Sequence, residues 1–443
     1  MSLNGPVGVV IAGDSTGSGK TIITLGLLRY FARSNVSVFS FKVGPDYIDP
    51  GFHTAACGRP CYNIDSWAMR HETVANVYGK ISRYAEVVVG EGVMGLFDGA
   101  SGLSSKENGS TYAVAEKLGL PIILVVDASS KGQSIAATVH GFSTFYEGIN
   151  IAGLILNKVS SDRHQKILLN SLEPLGLPVL GCIPMEKKLK LKNRYLGLIQ
   201  ASEITELENF LDIAADLVSK YVNIETLRGV MRSSPLNGLV PFRQLFPPLG
   251  SRVAVANDEA FQFCYRNIVE DWQLSGAEIH PFSPLNDESP NSNADAIYLP
   301  GGYPELFAGQ IAGNNNFLGG LRAANERGVI LYGECGGYMV LGDVLIDSQG
   351  FHHRMAGLLP VQTSFAKKHL ALGYRNAQIL ADGPLGIKDT QYRGHEFHYA
   401  SIVGKEGEAN LFQISDAKET PMGRVGIKRA NTMGSFIHLI DRR

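Results

Sequence analysis

The apolar positions of this chain fall into short runs of strand length, separated by stretches with apolar residues at helical spacing. The first run, residues 7–12 (Val-Gly-Val-Val-Ile-Ala), is followed by a helical pattern over residues 22–33. Residues 36–43, 85–92, 121–127 and 151–156 are further runs of this kind. They alternate with helical segments at 111–118, 133–145 and 164–175. Strands without polar alternation are buried on both faces, which predicts a parallel sheet with helices on either side. Residues 1–222 therefore read as one α/β domain. Residues 223–250 lose the periodicity: Ser-Ser-Pro-Leu-Asn-Gly at 233–238 and Phe-Pro-Pro-Leu-Gly at 246–250 bracket them. Prolines lacking N–H groups predict an extended linker. A second α/β pattern occupies 251–443, with short buried strands expected at 252–256, 278–282, 296–299 and 329–332.

Composition narrows the class. A length of 443 residues fits two or three domains, each able to bury its own core. With 44% hydrophobic and 19% charged residues the chain reads as soluble and globular, and a net charge of −2 gives no electrostatic case for nucleic acid or an anionic membrane. The longest apolar runs are far too short to span a bilayer. The start Met-Ser-Leu-Asn-Gly-Pro has no basic region of a secretory leader. Five cysteines, an odd and scattered set, argue against a disulfide framework, and Cys57 and Cys61 lack a second pair at zinc spacing. A cytoplasmic protein with one reactive cysteine is the expectation.

The chemistry of the first half begins where the first strand ends, at Gly13-Asp14-Ser15-Thr16-Gly17-Ser18-Gly19-Lys20-Thr21. Strand, glycine-rich loop and helix N-terminus form a phosphate cradle, in which backbone N–H groups and the helix end face the anion. Thr16, Gly17, Ser18 and Gly19 would wrap a nucleoside triphosphate, Lys20 would reach its β/γ-phosphates, and the Thr21 hydroxyl would ligate magnesium. Measured from Gly13 the loop is one residue longer than the usual G-x-x-x-x-G-K, and Asp14 stands where that pattern has glycine. The next strand opens into Gly44-Pro45-Asp46-Tyr47-Ile48-Asp49 at its C-terminal end, the edge where open parallel sheets bind ligands. Lys42, Asp46 and Asp49 are thus substrate candidates, with Asp46 also a metal candidate; plain turn-forming is the alternative for both aspartates. Glu91 closes a strand and suits magnesium, or substrate, beside a phosphate loop. Asp98, in Gly95-Leu96-Phe97-Asp98-Gly99, either joins it or belongs to a structural hairpin. Asn157, at another strand end, could read an adenine amino group.

In the second half, Gly333-Glu334-Cys335-Gly336-Gly337 follows a strand and opens a helix, the setting of a nucleophile elbow. A helix N-terminus there should lower the Cys335 thiol pKa. The thiol needs a base. His438, in Ser435-Phe436-Ile437-His438-Leu439, and His395, in Gly394-His395-Glu396-Phe397-His398, both qualify on pattern, and the residues alone do not choose between them.

These stretches, together with 42–51, 91–99, 194–198, 282–285, 299–305 and 394–399, resemble the cobyrinic/hydrogenobyrinic acid a,c-diamide synthases over essentially the whole length. The first half is similar to dethiobiotin synthetase, whose phosphate loop has the same extra residue. The second is similar to class I glutamine amidotransferases. The resemblance implies ATP and Mg2+ as cofactors, with a corrinoid tetracarboxylate and glutamine as substrates. ATP would phosphorylate the a and c carboxylates, and ammonia from a Cys335 glutamyl thioester would displace the phosphate. It also implies His438 as the base and Gly302 and Gly336 as oxyanion donors. Class I enzymes usually carry Glu two residues after that histidine; Ile440 is there instead, and a Cys–His dyad is expected. Asn63-Ile64-Asp65-Ser66-Trp67-Ala68-Met69-Arg70 and Leu299-Pro300-Gly301-Gly302-Tyr303-Pro304-Glu305 look more like the enzymes of the metal-free substrate, hydrogenobyrinic acid. Amidation of Ni-sirohydrochlorin in coenzyme F430 synthesis is the nearest alternative. A partition-type ATPase switch would want lysine at Ser15 and would leave Cys335 unexplained, and a stand-alone glutaminase would use the first domain only to sense nucleotide. A homodimer is left open.

Overall fold

The run that begins the chain forms β1 (Val7–Gly13), buried after its first residue and placed at the centre of a sheet. In this computed structural model, residues 5–186, 200–236, 247–367, 369–403 and 408–443 are described. The remaining strands of the first unit are β2 (Val38–Val43), β3 (Cys61–Ile64), β4 (Val87–Glu91), β5 (Ile122–Asp127), β6 (Ile151–Val159) and β7 (Val179–Pro184). They pair in parallel in the order β3-β2-β4-β1-β5-β6-β7. The continuous apolar runs are answered by helices: α1 (Lys20–Arg33), α2 (Asp49–Cys57), α3 (His71–Ser82), α4 (Thr111–Leu118), α5 (Ile135–Thr144), α6 (Asp162–Leu172) and α7 (Leu207–Tyr221). Ile23, Leu27 and Phe31 of α1 share one core with Val9 and Ile11 of β1 and Leu211 and Val218 of α7. Arg29 and Arg33 reach Asp212 and Asp216 along the outer edge of the same helix pair. Such exposed pairs contribute only about 0–1 kcal/mol, so the apolar seam holds α7 in place.

The segment expected as a linker starts as part of this unit. Residues 224–230 form a helix, α8 (Ile224–Val230), capped by the Asn223 side chain accepting from the Thr226 N–H. Arg232 and Ser233 then form β8, antiparallel to Gly8 and Val7. Leu227 and Met231 are buried in the first core, which draws the chain in where the prolines suggested extension. Asn237, Gly238 and Phe246 of the expected linker, and residues 194–198, lie outside the described residues.

The second unit holds β9 (Arg252–Ala256), β10 (Glu278–Phe282), β11 (Ala296–Leu299) and β12 (Ile330–Glu334), parallel in the order β10-β9-β11-β12. Thr432–Ser435 extends the sheet in parallel beside β12, and Ile427–Arg429 closes it antiparallel. β10 corrects an expectation: it is an edge strand, largely exposed except at Phe282, because only β9 pairs with it. A five-stranded antiparallel sheet includes Gln391–His398 beside Ile437–Arg442. After Ser435 the chain passes from the parallel sheet into this one, setting His438 opposite His395. Residues Ala68–Arg70 group with this second unit.

Candidate active sites

In the first unit, the loop after β1 bends through Gly17 and Gly19, both left-handed (φ 82° and 96°), before α1 starts at Lys20. A Cβ on Gly17 would meet nothing within 4 Å, so that face of the loop is open to a ligand. The Ser18 hydroxyl beneath it is buried without a hydrogen-bond partner. Asp14, the extra residue, is clamped by Lys131 at 2.6 Å, and Lys158 reaches the Gly17 carbonyl at 2.9 Å and Asp127 at 2.5 Å. Thr16 lies exposed at the rim. Asn157 touches the loop itself: its amide N–H donates to the Ser18 carbonyl at 2.8 Å and its oxygen accepts the Lys158 N–H. It braces the loop from below.

Parallel pairing puts Lys42 of β2 opposite Glu91 of β4, both buried. The Lys42 ammonium lies 2.9 Å from Glu91, 2.6 Å from Asp49 and 3.9 Å from Asp46. The Thr21 hydroxyl donates to Glu91 at 2.6 Å. His53 of α2, which the sequence reading passed over, meets the other Glu91 oxygen at 2.6 Å, and its Nδ1 lies 3.4 Å from the Cys61 sulfur. Burial alone would raise the Glu91 pKa, but Lys42, His53 and Thr21 hold it well below the carboxylate range. Burial works against charge on Lys42 too, and Asp49 and Glu91 outweigh it. His53 is pushed up to about 10 because Cys61 and Glu91 overcome its desolvation. Burial and the neighbouring Asp46 raise Asp49 to about 7 in spite of Lys42. Lys20 is lowered by burial and by Lys42, and among the described residues none gives it an ion-pair partner. Asp46 also accepts the Ile48 and Asp49 N–H groups, so its turn-forming role is real. Asp98 is exposed and accepts the Gly95 N–H at 2.8 Å, holding its own loop and making no ion pair with Lys42.

In the second unit, β12 delivers Cys335 to a turn with φ 47° and ψ −103°, a conformation rare outside glycine, before the helix Gly336–Leu341. Strain of this kind costs about 1–3 kcal/mol and is found where side chains must be presented. The Cys335 N–H is fixed to the Ser435 carbonyl at 2.8 Å. The Gly302 nitrogen lies 3.0 Å from where a Cβ on Gly336 would sit, and a Cβ on Gly301 would lie 2.4 Å from the His438 ring. The nucleophile turn and the histidine thus flank one Gly301–Gly302 corner. The thiol departs from expectation: burial, with Glu305, Glu334 and Glu396 nearby, pushes its pKa up, and the Gly336 N–H only partly opposes this. A thiol in this resting site stays protonated until a base accepts its proton. His438 and His395 are both buried and stack at 4.8 Å, 10° from parallel. Burial lowers both, His395 to about 3 and His438 well below its usual value, so each is a neutral ring at rest.

Residues 252–443 match the model of a CobB/CobQ-like glutamine amidotransferase domain, and residues 9–198 that of the CobQ/CobB/MinD/ParA nucleotide binding domain. The hydrogenobyrinate a,c-diamide synthase of Brucella abortus biovar 1 (strain 9-941) is 47% identical over 436 residues, 98% of each chain. The chain belongs to the hydrogenobyrinate a,c-diamide synthase family. The synthase of Rhodobacter capsulatus is 44% identical over 98% of this chain and 99% of its own, and that of a Sinorhizobium species 43% over 98% of each. In this member of the synthase family, two buried carboxylates beyond the sequence-derived set, Asp441 and Glu334, have charged or ionisable partners. Asp441 is taken up by Arg70, with Nη2–Oδ1 at 2.8 Å. Glu334 sits 3.9 Å from His438 Nδ1. Neither link has a signal in spacing, because each joins residues remote in the chain.

Proposed function

We infer that this chain is an ATP-dependent, glutamine-hydrolysing ligase that amidates the a and c carboxylates of hydrogenobyrinic acid in cobalamin biosynthesis. The observation that carries the reading is a strained, buried Cys335 set against the Gly301–Gly302 corner, in a chain that also holds a phosphate loop beside the Lys42–Glu91–Asp49 cluster. Family membership supports the substrate and, with it, a cytoplasmic enzyme of small molecules; no helix among the described residues is long and apolar enough to cross a membrane.

In the second unit, the Cys335 proton passes to His438 as sulfur attacks the glutamine amide carbon. The C–N bond breaks, the histidine returns the proton to the departing amine, and water later frees glutamate from the thioester. Gly302 and Gly336 N–H groups hold the oxyanion. In the first unit, a substrate carboxylate attacks the γ-phosphate of ATP. Lys20 faces that phosphate, while Lys42 and the aspartates orient the carboxylate. Phosphate is a far better leaving group than oxide, so ammonia can displace it to give the amide. Thr21 and Glu91, already in contact, fit magnesium, which keeps most of its water and phosphate ligands; Asp46 borders the same cluster. Bound there, the ion would neutralise charge on the transferring phosphoryl group.

The test has two arms. Cys335→Ala abolishes amidation from glutamine and leaves amidation from ammonia, whereas Lys20→Ala abolishes both and leaves glutaminase chemistry. Products are weighed with hydrogenobyrinate, cobyrinate and Ni-sirohydrochlorin offered in parallel. Preference for either metal-bearing substrate overturns the assignment of the substrate, and ammonia-driven amidation by Lys20→Ala overturns that of the phosphate loop.

A further inference from the structure

The carboxylate that class I amidotransferases place two residues beyond their histidine is replaced here by Ile440, and the carboxylates around His438 are engaged in different ways. Asp441 gives both oxygens to Arg70, and the Arg442 N–H donates to one of them. Glu396 is engaged by Arg375 and His398. Glu334, the residue just before the nucleophile, has its Oε2 3.9 Å from His438 Nδ1, and both side chains are almost wholly buried. Its carboxylate is built in: Tyr298 donates to Oε2 at 2.9 Å, Tyr332 to Oε1 at 2.8 Å, and the Leu439 N–H to Oε1 at 3.2 Å. The two phenol rings stack at 5.8 Å on neighbouring strands, which fixes their hydroxyls.

We propose that Glu334 is the positioning carboxylate of the glutaminase site, so that one strand end supplies both the nucleophile and the group that orients its base. The proposal rests on the reading of Cys335 as nucleophile and His438 as base. When the thiol proton moves to His438, an imidazolium forms where no water can compensate it. Glu334 lies beside that charge and exchanges no proton itself. Its own donors come from β11, β12 and the strand Ile437–Arg442, and the His395 ring covers His438 at 4.8 Å. A buried carboxylate held by two phenols and an amide cannot swing away, so its charge is kept beside the ring as the imidazolium forms.

The experiment measures glutamate release by full-length Glu334→Gln, Asp441→Asn and Cys335→Ala, with ammonia-driven amidation as the control for folding. Glu334→Gln should lower glutaminase kcat by about 10- to 10³-fold while KM for glutamine and the ammonia-driven rate stay within about twofold. Asp441→Asn should keep glutaminase kcat within about threefold. Wild-type kcat in Glu334→Gln, or a rise in KM with kcat unchanged, overturns the proposal; so does a larger kcat loss in Asp441→Asn than in Glu334→Gln. Should Glu334→Gln fail to fold, Glu334→Asp carries the test, since it keeps the charge but withdraws it by one methylene. A kcat at least about fivefold lower at unchanged KM supports the role, and wild-type kcat refutes it. Glutaminase activity surviving in Cys335→Ala would instead overturn the nucleophile itself, so the two failures are separable.

Discussion

Replacing Gly302 by alanine puts one methyl group where the structure has no room for it. The added Cβ would sit 2.0 Å from the Ala260 carbonyl oxygen and 2.6 Å from its carbon, against an ordinary contact beginning at 3.4 Å. Both neighbours are backbone, and the same Ala260 oxygen accepts the Tyr303 N–H at 3.0 Å. Relief therefore requires the two segments to part by about an ångström, carrying the Gly302 N–H away from the Cys335 turn. A misplacement of that size costs about 10²-fold in rate, and loss of one oxyanion donor about 10²–10³-fold, or ~2.7–4 kcal/mol. Glutaminase kcat in Gly302→Ala should fall by that factor, read as glutamate released, while ammonia-driven amidation continues at the wild-type rate. A glutaminase kcat within about threefold of wild type would show that the Gly302 N–H does not hold the oxyanion. Loss of both activities would refute the claim that the damage is confined to the glutaminase site.

Two further outcomes concern the first unit. His53→Gln removes the imidazolium from Glu91, and the wild-type protein should lose melting temperature steadily between about pH 6.5 and 10, a fall that is flatter in the variant. The sign follows from a folded pKa of about 10 above the ordinary value: the contribution is complete below that ordinary value and is lost as pH rises through the folded one. Gly19→Ala places a Cβ 2.0 Å from the Asn157 amide nitrogen at a left-handed φ, and nucleotide binding followed by calorimetry should weaken by at least tenfold, about 1.4 kcal/mol; unchanged affinity would show that the loop tolerates the shift.

The strand–loop–helix at the start, Lys42 and Glu91 at strand ends and the elbow at Cys335 were legible because each is a local pattern with its own geometry. His53 was not: it is a single histidine in a short helix, and only pairing of β2, β3 and β4 brings it to Glu91 and Cys61. Residues 224–233 were misread as linker because a seven-residue helix and a two-residue strand are too short to show a period. The Cys335 thiol went the other way from the helix-end argument because burial and carboxylates from distant segments outweigh six helical residues. Glu334 was in plain view beside the cysteine, yet its partners Tyr298, Leu439 and His438 come from β11 and the last strand.

The position of β1 also bears on how the chain becomes active during synthesis. Its parallel partners are β4 and β5, which begin at Val87 and Ile122, and β8 follows only at Arg232, so the first strand made has no partner until long after it leaves the ribosome. At about 5–20 residues per second, an unpaired apolar strand is exposed for several seconds, and pairing at such separation is intrinsically slow. Lys131, which clamps Asp14, and Asn157, which supports the Ser18 carbonyl, emerge later still. A nascent chain cut short before β6 carries every residue of the phosphate loop and lacks the support that shapes it. Nucleotide affinity should therefore arise during translation only after residue 157, as a late checkpoint on the folding of the whole first sheet.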